Sequence, residues 1–189
     1  MNDTSSELPP FPPADLPQFL RHCAGEWMSL RSQFALGELD AVEKSADAGA
    51  GDELSSELGD AWHSSERGEL VVVFLEPDGD GGPGGLRFGL KEGGASRQLL
   101  FDAEGGFRSG DQEGRWQQGC WQLGPDGSLE LLIAADGLEV RERIWFTKPN
   151  LRLRSTVENR AGGAPGRACF SSEIRRVSRP ATTGAPSSR

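Results

Sequence analysis

Apolar and polar positions alternate with a period of two along most of this chain. The run from Trp27 to Leu36 alternates well enough for a first strand. Glu69–Glu76, with the apolar stretch Leu70–Leu75 at its centre, reads as the next strand. Further strands are expected at Leu86–Leu90, Gln98–Asp102, Arg115–Leu123, Ser128–Ala134, Leu138–Thr147, Leu151–Glu158 and Arg167–Val177. Turn residues separate them, including Asp78–Gly85 and the tight Pro125-Asp126-Gly127. Helical spacing occurs near the start, where Leu16, Phe19, Leu20 and Cys23 follow Asp15. Gly25 should end that short helix by supplying a positive φ.

Short strands at this spacing, without a long helical pattern among them, indicate a sandwich or a barrel. The order short helix, Gly25-x-Trp27, long strand favours the barrel. The expected fold is an all-β, lipocalin-like (calycin) antiparallel β-barrel of about eight to ten strands with a short N-terminal helix. In such a barrel the tryptophan plugs the closed end, and an arginine of the last strand, Arg175 or Arg176, packs over its indole. The domain plan is a Pro-rich disordered tail at 1–13, a single barrel at 14–178 and a disordered tail at 179–189. Residues 37–60 are acidic and rich in Ala, Gly and Ser, and read as a mobile loop.

Composition removes several classes of function. A net charge of −9 opposes nucleic acid, because phosphate binding needs a basic face. No apolar run is long enough for a membrane span, and residues 1–13 resemble no secretory signal, so a cytoplasmic protein is expected. The three cysteines, Cys23, Cys120 and Cys169, and two histidines, His22 and His63, are too few and scattered for a disulfide framework or a metal site. Cys23 and Cys169 read as small buried apolar groups. The charge is uneven, however. Residues 139–189 hold 11 Lys/Arg against 4 Asp/Glu, whereas residues 1–138 hold 9 against 25. That asymmetry points to an anion site in the C-terminal part, or to a docking surface for an acidic partner.

The hairpin Val140–Glu158 concentrates the candidate chemistry. Both arms have period two, with Lys148-Pro149-Asn150 between them. If Lys148 and Pro149 alone form the loop, Glu142 shares a face with Leu153 and Ser155. A loop of Lys148, Pro149 and Asn150 places Glu142 with Arg152, Arg154 and Thr156 instead, because a slip of one residue reverses every side chain. The three-residue loop is preferred. It sets one carboxylate and two guanidiniums beside Ile144 and Phe146, a composition suited to an amphipathic acid. The same spacing also fits a row of ion pairs on an outer face, each worth well under ~1 kcal/mol.

The segment Glu142-Arg143-Ile144-Trp145-Phe146-x-x-Pro149-Asn150-Leu151-Arg152-Leu153-Arg154 resembles a signature of the S-type (CpcS/CpeS-like) phycobiliprotein lyases. Cys169–Arg176 resembles that family's last strand, and Phe19–Arg31 its opening. The resemblance implies a lipocalin-like barrel that carries a linear tetrapyrrole, phycocyanobilin or phycoerythrobilin, as substrate. The bilin is joined by a thioether bond to a cysteine of a phycobiliprotein subunit. No permanently bound cofactor and no metal are implied. By the same resemblance Glu142 and Arg152 take catalytic roles, and Arg154, Thr156 and Trp62 contact the bilin. The implied partners are the acceptor subunit, the bilin, and a second lyase subunit in a homodimer or heterodimer. Where the family has histidines in the first strand this chain has Phe34 and Ala35, and its 37–60 segment is shorter. These departures leave a non-catalytic bilin carrier as the alternative.

Overall fold

Local chemistry sets the first junction of the fold. The Asp15 carboxylate accepts from the Gln18 amide at 2.9 Å and caps α1 (Leu16–Cys23), with Pro17 in its first turn. Leu16, Phe19, Leu20 and Cys23 lie on the buried face of this helix. Gly25 then turns the chain with φ +135°, as its placement predicts. A Cβ there would sit 2.6 Å from Nη1 of Arg175, so the position needs glycine for space as well as for its dihedral.

The computed structural model describes residues 11–36, 63–77, 79, 82–93, 96–163 and 166–177. The expected 37–60 loop, Trp62, most of the N-terminal tail and the 179–189 tail lie outside the described residues. Ten antiparallel strands form a closed barrel: β1 (Gly25–Leu36), β2 (His63–Leu75), β3 (Gly84–Leu90), β4 (Ser96–Phe101), β5 (Gly106–Asp111), β6 (Trp116–Leu123), β7 (Leu129–Ala135), β8 (Leu138–Lys148), β9 (Leu151–Arg160) and β10 (Gly166–Arg175). Each strand pairs with its neighbour in sequence, and β1 closes the ring on β10 with Trp27 opposite Arg175. The lipocalin-like barrel with one short helix is therefore the observed fold.

The strand β5 escapes the hydrophobic pattern. Its sequence, GFRSGD, holds one apolar residue, and its glycines answer to neighbours rather than to propensity. The Asp102 carboxylate occupies the place of a side chain at Gly106 and accepts its amide at 2.6 Å. The Trp116 indole lies over Gly110, where a Cβ would meet it at 2.8 Å.

The core divides the barrel interior into two unlike walls. Val72, Leu86, Phe88, Leu99, Leu129, Leu131 and Ile144 are buried and form an apolar wall drawn from β2, β3, β4, β7 and β8. Directly beside it, β8, β9 and β10 present Glu142, Arg152 and Glu173, all buried, with Glu142 paired to Leu131 and two residues from Ile144. Trp27 and α1 seal one end. Trp27 is fully buried, and its indole donates to the Cys23 carbonyl at 3.0 Å. Arg175 covers one face of the indole at 4.3 Å, as expected, and Arg152 is 4.4 Å from the ring centroid. Arg176 instead pairs with Glu69 on the outside.

Candidate functional site

The hairpin β8–β9 decides which side chains face inward. Glu142 stands opposite Thr156, Ile144 opposite Arg154, and Phe146 opposite Arg152. This is the register of the three-residue loop, reached by another route. The turn is Pro149-Asn150, Lys148 pairs with Leu151, and a bulge between Phe146 and Lys148 absorbs the extra residue, Thr147. Two contacts fix the turn from outside the hairpin: His22 Nε2 donates to the Pro149 carbonyl at 3.0 Å, and the Arg175 amide to the Asn150 carbonyl at 3.0 Å.

Glu142, Arg152, Arg154 and Thr156 therefore share one interior face. The first three lie in a row of alternating charge that continues onto two residues not anticipated from sequence, Glu173 and Arg97. At the closed end, Arg152 Nε donates to Glu173, and its Nη1 reaches the Cys23 carbonyl at 3.3 Å. Arg154 bridges the two acids, with Nη2 3.1 Å from Glu173 Oε1 and Nη1 3.4 Å from Glu142 Oε1. Arg97, on β4, donates from Nη1 to Glu142 Oε2 at 3.0 Å and from Nε to Ser109 Oγ at 2.9 Å.

Burial grades along the row. The Arg152 side chain is 0% exposed and Glu173 2%, while Arg154 is 18% and Arg97 38% exposed. Arg152 is thus enclosed beneath the site, against Trp27. Burial drives the Glu142 carboxyl pKa up, but the Arg97 and Arg154 guanidiniums outweigh it and hold the carboxyl below its ordinary range. Burial likewise disfavours a charged Arg154, and Glu173 and Glu142 more than restore it. The row is a preorganised set of ionised groups facing apolar side chains, with Phe88 5.1 Å from the Arg154 guanidinium.

Thr156 is half-buried and stands opposite both Glu142 and Cys169. Cys23 is buried, as expected, but Cys169 is only half-buried and accepts from Arg31 Nε at 2.9 Å. Two hollows elsewhere, one beside Phe101 and Phe107 and one at the β7–β8 turn, are lined by no buried charged side chain.

Glu173 had a signal in the sequence: it alternates with Ser171 and Arg175 along β10, so it shares their face. Arg97 had none, because it lies at the start of a short strand beside a glycine-rich turn.

Comparison with known proteins agrees with this architecture. Residues 108–176 match the family described as CpeS-like protein. The chain is 38% identical over 175 residues to chromophore lyase CpcS/CpeS 1 of Paulinella chromatophora, covering 89% of this chain and 92% of that protein. It is 26% identical over 174 residues to chromophore lyase CpcS/CpeS 1 of Synechocystis, covering 86% and 91%. The S-type phycobiliprotein lyase CPES from Guillardia theta has the same fold, with a TM-score of 0.53, 20% identity, and coverage of 86% of this chain and 93% of that one. With the first of these relatives matched along nearly its whole length, the chain belongs to the CpcS/CpeS chromophore lyase family.

Proposed function

We propose that this chromophore lyase takes a linear tetrapyrrole, phycocyanobilin or phycoerythrobilin, into the barrel and promotes its thioether attachment to a cysteine of a phycobiliprotein subunit. The observation that carries this reading is the ionised, 4% exposed carboxylate of Glu142 beside an apolar wall. A linear tetrapyrrole offers N–H groups that such a carboxylate accepts, and a neighbouring anion favours the protonated pigment. Protonation makes the ring A ethylidene a better acceptor. The partner's thiolate then adds to its exocyclic carbon, the C–S bond forms, and the ring system takes up a proton. The nucleophile belongs to the acceptor, so this chain contributes orientation, charge and exclusion of water. Glu142 acts on the pigment directly, Arg154 and Thr156 line the same face, and Arg152 holds Glu173 and thereby Arg154 from below. Bilin is a transient substrate here rather than a resident cofactor. Trp62 keeps its role as a bilin contact in this proposal, and the setting is cytoplasmic, in keeping with a described chain in which no helix is long and apolar enough to cross a membrane.

Co-expression with a bilin-producing pathway and a phycobiliprotein β-subunit tests the proposal. The acceptor should show covalent zinc-enhanced fluorescence after denaturing electrophoresis, and Glu142→Gln should lower it at least tenfold. Pigment held only by this chain under native conditions replaces attachment with carriage. Colour on neither protein overturns both.

A further inference from the structure

The row Arg152–Glu173–Arg154–Glu142–Arg97 contains three guanidiniums and two carboxylates. Four of its members lie within the barrel as two compensated pairs, which is the condition under which buried charge is tolerable. The surplus positive charge is therefore carried by the last member, Arg97, which is also the most exposed, at 38%. Two of its nitrogens are engaged, Nη1 by Glu142 and Nε by Ser109. Its Nη2 has no hydrogen-bond partner among the described residues. Ser109, itself buried, fixes the plane of the guanidinium, so that nitrogen is presented in a defined direction rather than on a free-swinging side chain.

Arg152 is poorly placed to take a ligand's carboxylate. It is fully enclosed, its Nε serves Glu173, and its guanidinium lies against Trp27. Arg154 is already shared between two carboxylates. The nitrogens these two leave unpaired, Arg152 Nη2 and Arg154 Nε, are both buried. An incoming anion would have to enter the enclosed part of the row to reach them, whereas at the more exposed Arg97 it would neutralise an existing excess.

We infer that Arg97 is the residue that recognises a carboxylate of the ligand, and that one such group is bound there. This rests on the proposed bilin site and assigns its anion-binding member. Hydrogen bonds between a guanidinium and a carboxylate are charge-assisted and geometrically specific, and an effect of about tenfold in affinity is expected from one of them.

The test is a visible-absorbance titration of the whole chain with phycocyanobilin and with its dimethyl ester, for the unaltered protein and for Arg97→Met. The unaltered protein should bind the diacid about tenfold more tightly than the ester. Arg97→Met should bind the two equally, at the affinity the unaltered protein has for the ester, with its far-UV circular dichroism unchanged. If Arg97→Met does not fold, Arg97→Gln, which keeps a donor toward Glu142, should give the same loss of discrimination. A variant that binds pigment and still prefers the diacid tenfold overturns the assignment of Arg97 and leaves the bilin site standing. Failure of the unaltered protein to bind either pigment overturns the site itself.

Discussion

At His22, Nε2 donates to the Pro149 carbonyl, and Nδ1 is buried without a hydrogen-bond partner. The ring is therefore neutral, held so by burial first, with Arg175 and Arg152 adding repulsion against a proton; its hydrogen bond to Pro149 opposes this only in part. A base whose folded pKa lies below its ordinary 6.5 stabilises the fold fully above that pH, and the contribution is lost as the pH falls through the lower folded value. Glu142 follows the same sign in a lower window: its contribution is present above the ordinary 4.5 and lost as the pH falls through its depressed value. The melting temperature should be level above about pH 7, decline gently below about 6.5, and fall more steeply below about 4.5. Scanning calorimetry from pH 8 to pH 4 checks this. His22→Gln should remove the gentle arm and leave the steep one.

Among the elements, the junction of α1 and β1 is the most constrained. Arg175, on the adjacent strand β10, donates to the carbonyls of His22 and Ala24, satisfying acceptors that the end of the helix leaves open. Gly25→Ala adds a methyl group where that guanidinium lies, at a backbone angle that disfavours alanine. The expected cost is about 2 kcal/mol, or about 4–8 °C in melting temperature for a chain of this size. A thermal melt followed at 222 nm measures it. This junction was legible in the sequence because helical spacing, a stop at Gly25 and a tryptophan fall in one order. The hairpin was legible in its register but not in its turn, since a three-residue loop and a two-residue turn with a bulge place Glu142, Arg152 and Arg154 alike. Strand β5 was not legible, for Asp102 and Trp116 supply the atoms that its own sequence lacks.

For the molecule as a whole, closure of β1 on β10 joins segments far apart in sequence, so the closed end forms only when Trp27, Arg152 and Arg175 come together. Unfolding should accordingly be a single transition, with tryptophan fluorescence and far-UV circular dichroism giving coincident urea curves. Separated midpoints would show that the closed end and the strands unfold independently. The basic C-terminal part also takes on a meaning that charge counting left open: three of its 11 Lys/Arg, namely Arg152, Arg154 and Arg175, point into the barrel or its closed end, beside two of its four acids, Glu142 and Glu173. Arg97 lay outside the reach of such counting because it enters from an acidic part of the chain, and only closure of the ring brings β4 to face β8. Side-chain direction alternates all the way round that ring, which gives the bulge at Thr147 a wider consequence. Losing this one residue would regularise the ladder, leaving Phe146 opposite Arg152 and Lys148 opposite Leu151, so that Arg152 and Arg154 stay inside. In the evolution of this barrel, the bulge is therefore a place where the hairpin can lose one residue without reversing its inner row.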